Sequence, residues 1–170
     1  MVERPFFPAA AAFIVFTLGP ACGPGVDLRQ ALKVTDVISG YYDDGLKDGK
    51  NYLVPSVTFR LENSSPSSLT GLELTVAYWR DGEDGEWDST LVRSIGNDTI
   101  KAGGKSDPVT VRCQVGYTLE EPRADLFAHS LFKDVTAKIF ARRAGTIVPI
   151  GEVRLEHQIL PHVKSASGRP

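Results

Sequence analysis

The densest run of ionisable side chains is Asp81-Gly82-Glu83-Asp84-Gly85-Glu86-Trp87-Asp88. Clustered carboxylates are what calcium requires, since it takes about six to eight oxygen ligands. An EF-hand loop, however, runs Asp-x-Asp-x-Asp-Gly, and here Gly85 stands in the fifth place. The run therefore reads as a solvated hairpin tip, as does the smaller patch of Asp43, Asp44 and Asp48. His129, His157 and His162 fall in neither His-x-x-x-His nor His-x-Glu spacing, so zinc has no ligand set. A nucleophilic serine needs a base and a strained Gly-x-Ser-x-Gly turn, and no serine here sits in one. No metal, cofactor or catalytic residue is expected, and the chain does not read as an enzyme. Asn63-Ser64-Ser65 and Asn97-Asp98-Thr99 match the glycosylation pattern, which matters only in a eukaryotic secretory host.

The two cysteines lie in contrasting contexts. Cys113 alternates with polar neighbours between Val111 and Val115, which places it on the inward register of a strand as a small buried hydrophobe. Cys22 follows Arg4 and an apolar run from Phe6 to Leu18. That run is too short to span a bilayer but suits the apolar region of a secretory signal. Cys22 resembles the lipid-modified cysteine of bacterial lipoproteins: Ala21 precedes it, and Leu18 stands one place earlier than the usual box. Gly19-Pro20-Ala21 would serve an ordinary signal peptidase equally. Gly23-Pro24-Gly25 can form neither helix nor strand and reads as a tether. The expected organisation is a signal peptide over 1–21, a tether over 22–28, a folded domain over 29–162 and a flexible tail over 163–170. An envelope lipoprotein is favoured over a secreted or periplasmic soluble protein, with membrane contact through the lipid on Cys22.

These groups must be positioned by strands. Val57, Phe59 and Leu61 alternate with Thr58, Arg60 and Glu62. The same period of two recurs over Leu72 to Trp79, Val109 to Val115, Val135 to Arg142 and Glu152 to Glu156. One apolar and one wet face per strand marks antiparallel sheets covered on one side. Weaker strands at Ala31 to Ile38 and Ser89 to Ile95 complete about seven. Turn residues punctuate them at Asn63 to Ser68, Asp81 to Glu86, Ala102 to Lys105 and Arg143 to Gly145. Pro122 to Ser130, with Leu126, Phe127 and Leu131 at helical spacing, predicts one short crossover helix. The fold class is all-β, a two-layer antiparallel β-sandwich of immunoglobulin-like type. With 170 residues, 42% of them hydrophobic, the chain can bury a core without disulfide staples. Its net charge of −2 is scattered, so no basic stripe exists to engage nucleic acid.

From Val57 to Val115 the text resembles FxLYD-like domains, immunoglobulin-like modules of bacterial exported proteins. The shared part is an Asn63-Ser turn followed by Gly71-Leu72-x-Leu74-x-Val76-x-Tyr78-x-x-Asp81-Gly82, then Gly103-Gly104 and an alternating valine strand. The naming motif departs here, since Val76, Tyr78 and Trp79 stand where Phe, Leu and Tyr would. Asp48 to Pro55 is similar to uncharacterised exported bacterial proteins. The resemblance implies location and fold, not activity.

Among the aromatic residues, Trp87, Tyr41 and Tyr42 are expected to pack at strand ends, although with Trp79 they could form a ligand platform. In an immunoglobulin-like order the strands carrying Trp79, Phe140 and Arg154 lie side by side, with all three on the register opposite the core. That face is the candidate interaction surface. The expected function is a non-enzymatic, envelope-associated accessory module with an unknown envelope protein as partner. The alternative is a small-ligand or carbohydrate-binding domain. Aromatics spread over one sheet would favour the first, a concave aromatic groove the second.

Overall fold

A computed structural model describes residues 26–92 and 99–161. The fold begins with a four-residue helix α1 (Leu28–Ala31), whose first turn is capped by the Asp27 carboxylate accepting from the Arg29 amide at 3.0 Å. Leu28 and Ala31 are buried and Val26 packs on them, so the core reaches into the segment expected to be tether. The next elements, β1 (Leu32–Lys47) and β2 (Lys50–Asn63), form one long hairpin. Asp48 and Gly49 close it with φ of 54° and 78°, the pair of positive angles that a two-residue type I′ turn requires.

The remaining strands are β3 (Glu73–Arg80), β4 (Asp88–Val92), β5 (Val109–Arg112), β6 (Tyr117–Leu119), β7 (Val135–Arg143), β8 (Thr146–Arg154) and β9 (Ile159–Leu160). One sheet runs β5-β2-β1-β9, with β6 also paired to β2; the other runs β4-β3-β7-β8. The inner faces meet in a single core. Leu53, Val57, Phe59 and Leu61 of β2 are fully buried, as are Leu74, Val76 and Tyr78 of β3 and Val135, Ala137, Ile139 and Ala141 of β7. Burying a large aliphatic or aromatic side chain stabilises by about 1.5–3 kcal/mol, which makes these three strands the dominant contribution.

The two-layer, mainly β architecture is as expected; several details are not. Nine strands, not seven, are present among the described residues. The additional ones are β6 and β9, of three and two residues, too short to show alternation. The β9 pairing with Tyr41 and Tyr42 is parallel, so the first sheet is not wholly antiparallel. The crossover segment is a 3-10 helix over Arg123–Ala128 rather than an α-helix. It does lead from β6 to β7, and Leu126 is buried, but Leu131 lies beyond it and is 75% exposed. The strand expected to reach Val115 ends at Arg112, and Val115, expected inward, is exposed.

Candidate interaction surface

The second sheet turns its outer face to solvent, and its register sets what that face carries. Leu91, Thr75, Phe140 and Pro149 lie in one row across β4, β3, β7 and β8. Ser89, Ala77, Lys138 and Glu152 form the next row, and Trp79, Thr136 and Arg154 the one after it. Trp79, Phe140 and Arg154 thus share one sheet and one face. Trp79 is half-buried with the Lys138 ammonium 4.6 Å from its ring centroid, and its indole N–H is buried without a partner. Ala77 in the adjoining row is nearly inaccessible, so larger neighbours cover it. Leu91 (47% exposed) and Ile147 (59%) extend the apolar part, with Ile147 opposite the outward Arg142.

Arg154 plays a different part from the two rings. Its guanidinium is bound by the carboxylates of Asp134 and, at 3.2 Å, Asp81. Asp134 also meets Nε2 of His157, whose ring is stacked on Phe127 with centroids 5.0 Å apart. These contacts tie the segment after β8 to the start of β7. The hydrogen bonds from His157 and Arg154 hold the Asp134 carboxyl below the usual carboxylate range. A folded pKa depressed in this way gives stability that is complete above the ordinary value of 3.8 and lost as pH falls through the folded value. Urea titrations between about pH 5 and about pH 2 should therefore show the wild type losing stability more steeply than Asp134→Asn. Parallel acid limbs for the two proteins would refute that role for Asp134.

The other chemistry-bearing residues are not gathered at this face. Glu83 of the acidic loop is held by Lys133 at 2.8 Å and by Arg80, and Asp88 accepts from the Gln114 amide. Among the described residues, no group of three or more His, Cys, Asp or Glu side chains could hold a metal ion. Nδ1 of His129 accepts from the Leu131 amide; His162 and Cys22 lie outside the described residues. Cys113 is buried, and burial pushes its thiol up to about 12. The four aromatics that could have made a platform are dispersed. Tyr41 and Trp87 join Tyr117, Phe127 and Phe132 around the end of the core. Tyr42 faces out from the first sheet beneath the guanidinium of Arg112. Sequence reasoning missed Lys138 and Arg112, both carried on strands whose alternation does mark them as outward.

No helix among the described residues is long and apolar enough to cross a membrane. No protein-family description matches the chain, and no curated protein is significantly similar to it. Among solved structures it is similar to a Northeast Structural Genomics Consortium target, SoR45, at 13% identity and a TM-score of 0.45, over 81% of this chain and 96% of that one. It is also similar to the putative ApaA protein from Bordetella pertussis, at 17% identity and a TM-score of 0.44, over 74% and 93%. A β-glucuronidase of Bacteroides uniformis matches at 15% identity and 0.39, over 74% of this chain but 12% of that enzyme. Scores at this level transfer neither activity nor detailed topology.

Proposed function

We propose that this chain is a non-enzymatic, immunoglobulin-like sandwich displayed on a bacterial envelope, which holds a protein partner on the outer face of its second sheet. The observation that carries this reading is the spacing of its outward rings. Trp79 and Phe140 sit on neighbouring strands two rows apart, which is about 14 Å along the strand direction. Rings that far apart cannot sandwich one sugar or one small planar ligand. They can anchor two points of a protein surface, with Leu91, Ile147 and the Lys138 stem between and beside them. Large aromatics are among the residue types enriched at the centres of such interfaces.

The placement of the ends supports display. Val26 lies with the β7–β8 turn and Ser64 to Pro66 at one pole, and Cys22 is four residues before it. A lipid on Cys22 would set that pole against the membrane. The row of Trp79 and Arg154, at the far end of β3 and β8, would then project away from it.

The test combines both halves of the reading. Wild-type protein, crosslinked in native envelopes, should capture a partner and fractionate with membranes. Trp79→Ala with Phe140→Ala should still unfold cooperatively, within a few degrees of wild type, yet lose that partner. If the double variant loses much of its stability while the crosslinked partner remains, the rings are packing residues and the reading is wrong.

A further inference from the structure

The outer face of the first sheet, on the opposite side of the sandwich from Trp79, holds a hollow of about 350 Å³. Its floor is one short side chain. Arg112 pairs with Ser56 across β5 and β2, so beside the arginine stands a single hydroxymethyl group, while Gly40 on the far side of Ser56 is covered by Gln158 and Leu160. Taller rows stand on either side: Thr110, Thr58 and Ile38 on one, Val54, Tyr42 and Leu160 on the other.

The arginine and the threonine pair in this hollow offer hydrogens, while the Ser56 hydroxyl donates its own to the Val111 carbonyl. The Arg112 guanidinium lies 3.4 Å from the Tyr42 ring centroid, and this stacking fixes its plane. Among the described residues no carboxylate lies within ion-pair distance of it, whereas Arg123 and Lys50 are paired with Asp43 and Glu120. The hydroxyls of Thr58 and Thr110 are 2.9 Å apart. Only one of two bonded hydroxyls donates to the other, so the second keeps its hydrogen for an acceptor. The walls are apolar: Ile38 is 55% exposed, and Leu160 packs with Tyr42 in a small cluster of its own.

An oriented guanidinium without an ion-pair partner among the described residues, and a spare hydroxyl above apolar walls, select an anion with an apolar body. We propose that this hollow binds small carboxylates, the carboxylate on Arg112 and the apolar part against Ile38 and Leu160. The volume is at the small end of the about 300–1,000 Å³ typical of ligand sites, which suits such a molecule. This site is independent of the partner face, since it belongs to the other sheet. The same end group occurs on free acids and on the C-terminus of a peptide with an apolar last residue, and the experiment separates the two.

The full chain is titrated, with amide resonances followed by NMR, against 4-phenylbutyrate, its neutral amide and the blocked dipeptide N-acetyl-Ala-Phe. At least one acid should give saturable shifts centred on Ile38, Ser56, Thr58 and Thr110. The neutral amide, and Arg112→Gln with either acid, should bind about tenfold more weakly or not at all, the loss of one charge-assisted hydrogen bond. Ile38→Glu, at an exposed position, supplies a competing internal carboxylate and should also weaken the acid. Saturation by phenylbutyrate alone identifies the free-acid source; saturation by the dipeptide identifies a peptide terminus. Absence of any saturable shift, equal binding of acid and amide, or unchanged binding by Arg112→Gln would each overturn the proposal.

Discussion

Asn63→Ala is expected to lower folding stability by about 3–4 kcal/mol, far more than a turn asparagine usually contributes. The side chain is fully buried at the end of β2. Its amide nitrogen donates to the carbonyls of Ser67 (2.8 Å), Ile100 (3.0 Å) and Lys101 (3.2 Å). Its amide oxygen accepts from the Ser65 backbone at 3.0 Å and the Ser65 hydroxyl at 2.7 Å. One residue thus organises the loop after β2 and joins it to the segment leading to β5. The backbone of Asn63 adds bonds to Gly103 and Gly104. Alanine removes all the side-chain bonds at once; the Ile100 and Lys101 carbonyls keep only the Leu69 and Gly104 amides, and the Ser65 amide and hydroxyl lose their shared acceptor. Asn63→Asp should be at least as damaging, because a carboxylate would face the same carbonyl oxygens. Urea denaturation would show the loss as a lower midpoint with an unchanged slope. A loss under about 1 kcal/mol for alanine would show that water replaces these bonds freely.

That role was only half legible. Asn63 in a Ser-rich stretch announces a turn, and it also completes a glycosylation pattern that full burial makes inaccessible in the folded protein. Its partners at Ile100 and Lys101 are 37 and 38 residues away, and no local pattern reports such a distance. The same division holds across the fold. β3, β7 and the second half of β2 are legible because each is covered on its inner face, so burial and sequence alternate together; over Tyr52 to Val57 β2 is buried on both faces and shows no such period. β1 was cut short in the reading because its register slips between Thr35 and Ile38 and again between Asp43 and Leu46. Each slip breaks the period of two, and Asp36 at the first has φ of 53°. The Asp48-Gly49 turn carries a local signal, an Asp-Gly pair, but the charged and polar residues on both sides of it hide the strands it joins. At the candidate surface, alternation alone placed Trp79 and Phe140 outward. What it could not supply was the engagement of Arg154 by Asp81 and Asp134, which come from two other loops.

Gly116 is the position where a single methyl group should do the most damage for its size. It separates β5 from β6, two short strands that pair with successive parts of β2. To serve both, the chain must step in against the β2 backbone at Leu53. A Cβ on Gly116 would stand 2.3 Å from the Leu53 carbonyl oxygen, 2.8 Å from Val54 Cγ1 and 3.0 Å from the Leu53 carbonyl carbon. Two of those three atoms are backbone of a central strand and cannot swing aside. Gly116→Ala must therefore push β6 off β2, and Tyr117 moves with it. The Tyr117 ring lies 5.3 Å from Trp87 and 5.5 Å from Phe132, while its hydroxyl donates to the Lys133 carbonyl at 2.8 Å. Losing the β6 pairing therefore loosens the aromatic end of the core as well. The expected cost is about 2–4 kcal/mol, in the range of overpacking combined with a lost strand. Hydrogen exchange should locate it: amides of Asn51 to Leu53 and Tyr117 to Leu119 lose protection, while those of β3 and β7 keep theirs relative to the global value. Gly104→Ala is the control, because its Cβ would approach nothing closer than the Lys101 carbonyl oxygen at 3.2 Å. If Gly116→Ala costs no more than Gly104→Ala, the close approach at Leu53 does not hold β6 in place.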